Sequence, residues 1–167
     1  MREQDSIRSI KGIGEKTEKL FTKLGIATVG DFLRYYPRDY DEYKEPVSVS
    51  EAEEGKKTAV LGRIAGRVGM SNTGKRTVVT VSLRDERSSL QLTWYNMPFL
   101  RNTLRSGGLY IFRGIVVKKG GRLTMEQPEI FGREDYEARL HTLYPVYSLT
   151  KGLTNKLMVK TMHQILD

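Results

Sequence analysis

The stretch Thr58–Val68, TAVLGRIAGRV, decides the fold, because from here the apolar side chains recur with a period of two. Val60, Ile64 and Val68 fall on one face of an extended chain, since alternate residues of a β-strand point to the same side. Arg63 and Arg67 share the opposite face. The stretch therefore predicts a β-strand with one apolar face and one cationic face.

Four more strands and one short helix are predicted downstream. In chain order they are the strand 77–83, the strand 90–95, the helix 98–105, the strand 109–118 and the strand 122–127. Turns are predicted at Ser71–Gly74 and Lys119–Gly121. Three strands, a helix and a two-stranded hairpin make the element order of an OB-fold, a five-stranded Greek-key barrel. A generic small barrel or SH3-like module is the alternative, which the inserted helix disfavours.

Short helices are predicted on both sides of this barrel. Glu15–Leu24 has helical spacing, Thr28 and Asp31 form a capping-box pattern, and Leu153–Leu166 is amphipathic. The fold class is therefore mainly β with flanking α-helices. The predicted organisation is a helix–hairpin–helix-like segment at 1–36, a connector at 37–56, the barrel at 57–133, and a linker and helix at 134–167. Because the last helix runs to Asp167, we expect the chain to be part of a longer protein.

The composition argues against several classes of chemistry. The 167 residues include no cysteine and two histidines, so disulfides and thiolate metal sites are excluded and other metal centres are disfavoured. No apolar run is long enough to cross a membrane, and the charged N-terminus does not resemble a signal peptide. We therefore predict a cytoplasmic protein with no catalytic residue, no bound metal and no membrane contact.

The positive charge is concentrated in the predicted barrel. The net charge of the chain is +8, and residues 57–133 hold 14 Lys and Arg against 4 Asp and Glu. Ten of those 14 cations are arginine, whose planar guanidinium suits phosphates and base edges. This distribution predicts a polyanionic partner. An ordinary solvated basic face is the alternative.

Two sequence patterns that could indicate catalysis are interpreted otherwise. Gly69–Arg76, GMSNTGKR, fits a Walker A loop except that Arg76 stands where Ser or Thr must hold magnesium, and a β-branched run follows it. We predict a hairpin turn there. The four carboxylates of the basic segment could in principle form a nuclease site, although acidic residues are ordinary in turns; they are Asp85, Glu86, Glu126 and Glu129.

The candidate nucleic-acid contacts are basic loops and outward-facing rings. OB-folds bind single strands on the face of their second and third strands, between two flanking loops. Cations in or near those loops and on the first strand and the helix are predicted to contact phosphates: Lys75, Arg76, Lys118, Lys119, Arg122, Arg63, Arg67, Arg101 and Arg105. Tyr95 and Phe99 are predicted to point outward and stack on bases. Trp94 shares the phase of Leu90 and Leu92, which favours a core position, but it stays among the candidates.

Gly12-Ile13-Gly14 lies between the first two predicted helical segments. Such a turn can present backbone amides to a DNA phosphate. Because residues 1–56 hold 12 Asp and Glu against 10 Lys and Arg, we favour a packing role.

Taken in order, several stretches resemble the RecG family of ATP-dependent DNA helicases. They are Ile10–Gly14, Leu20–Ile26, Val29–Leu33, Tyr36-Pro37, Leu92–Asn96, Phe99-Leu100, Tyr144–Tyr147 and Gly152-Leu153. The resemblance implies a wedge domain that enters the branch point of a replication fork or Holliday junction. It implies that Tyr95 and Phe99 stack on bases there, and it leaves a contributing role for Trp94.

The resemblance also implies what the chain lacks. The motor domains of the family, with their Walker motifs, are not in this sequence, so ATP and magnesium are expected only in the parent helicase. We expect a non-catalytic, nucleoid-associated monomer that binds branched or single-stranded DNA. A single-stranded-DNA-binding protein is a further candidate partner. The alternative is an OB-fold module for RNA or ribosome binding, or a protein–protein adaptor.

Overall fold

The computed structural model describes all residues, Met1–Asp167, which form two compact units. Unit 1 comprises Met1–Glu42 and Leu143–Asp167, and unit 2 comprises Tyr43–Thr142. The strands are β1 Asp39–Glu42, β2 Lys57–Thr73, β3 Arg76–Arg84, β4 Ser89–Tyr95, β5 Leu109–Lys119, β6 Arg122–Glu126, β7 Glu129–Phe131 and β8 Leu143–Val146. The α-helices are α1 Glu15–Thr22, α2 Val29–Leu33, α3 Leu100–Thr103, α4 Arg133–Glu137 and α5 Asn155–Leu166. None of these helices has the length and apolar character needed to cross a membrane.

Unit 2 is an OB-type β-structure in which β2 is shared. The first part of β2, Lys57–Arg63, pairs antiparallel with β5, and its second part, Ile64–Thr73, pairs antiparallel with β3. β3 pairs with β4, β4 pairs in parallel with β6, and β6 pairs with β5. The strand order β2-β3-β4-β6-β5 therefore returns to β2. The predicted fold class, mainly β with an OB-fold and flanking helices, is confirmed.

A bulge in β2 lets one strand serve both pairings. The pairing register shifts between Ala65 and Gly69, and Gly66 has φ +74°, a left-handed conformation that glycine adopts without steric cost. Such a bulge bends a strand and increases its twist. The predicted turn at Ser71–Gly74 was placed too early, because Ser71 and Asn72 still pair with β3. The turn itself is formed by Gly74 and Lys75.

Strand alternation separates the core of unit 2 from its surface. Leu90, Leu92 and Trp94 of β4 are buried, as the predicted phase requires. Trp94 is only 1% exposed, and its indole Nε1–H donates a hydrogen bond to the Pro128 carbonyl at 3.0 Å. Its ring is therefore closed off from any base, and Trp94 is withdrawn from the candidate DNA contacts.

A second, smaller cluster in unit 2 was not predicted. Arg113 is only 4% exposed, pairs with Glu129 at 3.0 Å, and lies 4.1 Å from the ring centroid of Tyr43. The rings of Phe131 and Tyr136 pack against Tyr43. One of the ten arginines of the basic segment is therefore buried and contributes to packing rather than to the charged surface.

Unit 1 is built from both ends of the chain. Its α-helices enclose a core to which Ile13 contributes from the Gly12–Gly14 turn, in agreement with the packing role. The capping box is confirmed: the Asp31 backbone N–H donates to Thr28 Oγ1 at 3.1 Å, and the Thr28 N–H donates to Asp31 Oδ2 at 2.9 Å. Backbone N–H bonds from Thr28 and Ala27 to the Asp31 carboxylate lower the pKa of Asp31 below its usual value. β1 and β8 pair antiparallel.

The boundaries of the two units differ from those drawn on the sequence. Residues 43–56 and 134–142 belong with the barrel, and residues 143–167 belong with the N-terminal segment. The reason is the pairing of β1 with β8, which joins residues about a hundred positions apart. Local periodicity carries no information on such a pairing.

Replacing Gly66 by alanine tests the bulge. A Cβ there meets no atom within 4 Å, so the cost comes only from the left-handed backbone and should be about 1–2 kcal/mol of unfolding free energy. Gly69→Ala is the matched control on the same strand, since its Cβ would make an ordinary contact, 3.5 Å from the Thr80 carbonyl oxygen, and should change stability by less than about 0.5 kcal/mol. Chemical denaturation followed by circular dichroism measures both. Equal losses would contradict the assigned bulge.

Two aromatic substitutions test the assignment of inside and outside. Trp94→Phe removes the donor to Pro128 and leaves a small void, which should cost about 1–3 kcal/mol. Phe99 is 57% exposed, so Phe99→Ala should cost less than about 0.5 kcal/mol. The same denaturation measurement compares them. A larger loss for Phe99→Ala would mean that its ring is packed in solution.

Candidate nucleic-acid interface

A groove runs along the outer face of β3, β4 and β6. Its two adjoining sections measure about 310 Å³ and about 240 Å³ and share Gln91 and Arg122 as lining residues. The floor consists of uncharged polar side chains, all but one of them short, because the outward positions of these strands alternate with the buried core positions. They are Thr80, Ser82, Gln91, Thr93 and Thr124. Such a floor lets a flat base approach closely.

Two arginines lie at one end of the groove. Arg84, at the end of β3, and Arg122, at the start of β6, line the same section together with Ser82 and Ser89. Guanidinium and hydroxyl groups are the donors that bind phosphate oxygens. Arg122 was predicted as a contact, whereas Arg84 was missed. Its outward phase with Ser82 on β3 is the sequence signal that could have identified it.

The other end of the groove holds a hydrogen-bonded cluster of Tyr95, Glu126 and Lys119. The Tyr95 hydroxyl donates to Glu126 Oε1 at 3.2 Å, and the Lys119 ammonium forms a close ion pair with the same oxygen. The hydrogen bonds from Lys119 and Tyr95 lower the pKa of the Glu126 carboxyl, while Glu126 raises the pKa of Lys119. Glu126 is therefore ionised at neutral pH. Sequence reasoning considered this residue only as a nuclease ligand.

The predicted aromatic pair is accessible, in two different ways. Tyr95 is half-buried in the groove wall, and Phe99 is exposed in the turn before α3. Asn96, with φ +56°, lies in a bend between them. Arg101 and Arg105 are exposed in and just after α3, so both lie on the same connection as Phe99.

The remaining predicted cations lie in three places. Lys75 and Arg76 are exposed at the β2–β3 turn, and Lys118 is exposed at the end of β5. Arg63 and Arg67 lie on β2, away from the groove lining. Arg63 Nη1 donates to the Gly107 carbonyl at 2.6 Å, and Arg67 is exposed in the bulge. The structure therefore brings Lys119 and Arg122 into the groove but not Arg63 or Arg67.

The acidic residues of the basic segment do not form a metal-binding cluster. Asp85 accepts backbone N–H bonds from Ser50, Arg87 and Ser88, and hydrogen bonding from this turn lowers the pKa of its carboxyl. No group of three or more His, Asp or Glu side chains is placed to hold a metal. Residues 69–76 form the hairpin of β2 and β3, as predicted, without the helix that a phosphate loop requires.

Comparison with known proteins gives a consistent result over nearly the whole chain. The family model for the RecG wedge domain matches residues 6–167. The ATP-dependent DNA helicase RecG of Bacillus subtilis (strain 168) is 30% identical over 165 residues, which are 98% of this chain and 24% of that protein. RecG of Thermotoga maritima is 28% identical over 162 residues, which are 95% of this chain and 20% of that protein.

A solved structure agrees with these sequence matches. The structure of RecG bound to a three-way DNA junction superimposes with a TM-score of 0.78 and 26% sequence identity, covering 98% of this chain and 22% of that one. The chain thus spans about a quarter of the length of the curated relatives it matches. The family model, these relatives and the shared architecture together establish that the chain belongs to the RecG wedge domain family.

Proposed function

We propose that this chain is the branched-DNA-binding wedge of a DNA helicase, and that it positions and splits strands at a fork or Holliday junction without catalysis of its own. One unpaired strand lies in the groove between Arg84 and Tyr95. Phosphates contact the arginine end, and bases stack on Tyr95 and Phe99. The observation that carries the proposal is this groove, with Arg84 and Arg122 in one section and the accessible ring of Tyr95, beside the Lys119–Glu126 ion pair, at the other end.

The chemistry of the groove favours binding that tolerates any sequence. Stacking on an aromatic side chain is worth on the order of 1–3 kcal/mol per base and is open to every base. Phosphate contacts add affinity without sequence information. Branch selectivity would come from Phe99, because an exposed ring beyond the groove can stack only where duplex pairing has ended.

The relatives support a helicase as the parent protein. The relatives are ATP-dependent DNA helicases, and the structural match is to RecG bound to a three-way DNA junction. In the proposed parent, ATP and magnesium act in motor domains outside this segment. The wedge acts as a monomer on the DNA, and a single-stranded-DNA-binding protein is a candidate partner there.

Tyr95→Ala and Phe99→Ala test the stacking role. Each should weaken binding to a fork by roughly 5- to 100-fold, through loss of one stacked base, and should weaken binding to plain duplex by less than about twofold. Fluorescence anisotropy with labelled fork, duplex and single strand measures this. Ile115→Ala, which removes an exposed apolar side chain on β5, is the control and should change neither.

Equal losses on fork and duplex would contradict the wedge. Tighter binding to an RNA hairpin than to the DNA fork would favour the RNA-binding alternative.

The contribution of Arg84 and Arg122 to DNA binding can be measured from its dependence on salt concentration. Arg84→Gln and Arg122→Gln should weaken binding to the fork and to the single strand, which both supply an unpaired strand, and should each reduce the slope of log K against log salt by about 0.7 for single strands. Arg87→Gln is the matched control, because Arg87 is an exposed arginine of the β3–β4 turn that does not line the groove. Anisotropy titrations at several salt concentrations give the slopes. A flat salt dependence in the unsubstituted chain would instead favour a protein–protein adaptor.

A further inference from the structure

Glu126 is the one acidic residue among those that line the groove. Phosphate binding does not explain a carboxylate there, since it repels the strand that the arginines attract. A carboxylate facing a nucleic acid can instead accept hydrogen bonds from base edges. Its position, bonding and charge identify which edge fits.

The carboxylate is fixed by one oxygen and open at the other. Oε1 accepts hydrogen bonds from both Lys119 and Tyr95, whereas Oε2 accepts none from the protein. An ionised carboxylate offers about four lone-pair sites. Two acceptor sites are therefore left on Oε2, and the side chain is 42% exposed toward the groove.

The hydrogen bond to Tyr95 sets where those acceptors lie relative to a stacked base. Because the phenol hydroxyl donates to Oε1, the carboxylate lies at the outer edge of the Tyr95 ring. A base stacked on that ring has its own edge beside the carboxylate. Thr93, directly opposite Glu126 in the β4–β6 pairing, has a short side chain that leaves this space open.

An ionised carboxylate selects among the four bases by its need for donors. Guanine presents two adjacent donors on its Watson–Crick edge, N1–H and the N2 amino group. Adenine and cytosine present one amino group beside a ring-nitrogen acceptor, and thymine presents one N–H between two carbonyls. Only guanine matches two acceptor sites without an opposing lone pair.

We propose that Glu126 and Tyr95 form a reading site for one unpaired guanine at the branch point. Tyr95 stacks on the base, and Glu126 accepts from its N1–H and N2–H groups while Lys119 holds the carboxylate. This inference rests on the proposed function. It adds a single base preference to binding that is otherwise independent of sequence.

The DNA provides the first test. Forks that differ only in the first unpaired base are titrated against the 167-residue chain by anisotropy, with guanine, adenine, cytosine, thymine, inosine or 2-aminopurine at that position. Guanine should bind about fivefold more tightly than thymine. Inosine, which lacks the N2 amino group, and 2-aminopurine, which lacks N1–H, should each lose most of that advantage. Equal affinity for guanine and inosine would overturn the inference without any change in the protein.

Glu126→Gln provides the second test. The amide has no charge and one acceptor oxygen, so the guanine preference should fall below about twofold. Thymine forks should bind more tightly than before, because a negative charge has left the groove. Glu86→Gln, which removes an exposed carboxylate of the β3–β4 turn, is the matched control and should keep the full preference. A preference that survives Glu126→Gln would also overturn the inference.

The failure of this inference and the failure of the proposed function give different results. If fork binding depends on Tyr95 and Phe99 but not on the unpaired base, only the reading site is wrong. If neither ring matters for fork binding, the wedge itself is wrong. Circular dichroism of each variant verifies that its fold is intact before the titrations are compared.

Discussion

The bend of β2 at Gly66 is the constraint on which unit 2 depends. A straight strand of 17 residues could pair along one sheet, but β2 pairs first with β5 and then with β3. The left-handed Gly66 and the register shift beside it supply the change of direction. That change brings β3, β4 and β6 around the same core as β5. The outer face of those three strands is the groove, so the candidate interface exists because one glycine permits the bend.

The Lys and Arg side chains of the basic segment have different structural roles, which the sequence does not distinguish. Arg113 is buried against Tyr43 and Glu129, Arg63 binds a loop carbonyl, and Lys119 is paired with Glu126. The charge available to a polyanion is therefore smaller than the net charge of the segment. Arg84 and Arg122 matter more than their number implies, because both line the groove. Placement, rather than composition, determines which cations can contact a strand.

Local patterns predicted what depends on neighbours in the chain. Strand alternation predicted the burial of Trp94, and the capping-box residues Thr28 and Asp31 predicted the start of α2. Local patterns did not predict the features that depend on contacts between distant segments of the chain. The pairing of β1 with β8, the cluster around Arg113 and the role of Glu126 all depend on residues far apart in sequence or across strands. The candidate site was predicted as a set of loops and rings, while its floor and its acidic residue required the strand register.

Adjacent residues Trp94 and Tyr95 show how closely stability and binding are connected here. They have opposite phases on one strand, so a slip of one residue would expose the indole and bury the phenol. The register of β4 is held on both sides, by antiparallel pairing with β3 and parallel pairing with β6. The Trp94–Pro128 hydrogen bond adds a side-chain anchor on the core face, and the Tyr95–Glu126 hydrogen bond adds one on the groove face. The same register that closes the core therefore also aims Tyr95 at the strand it is proposed to bind, which explains how a small β-structure can present a fixed ring without a rigid loop.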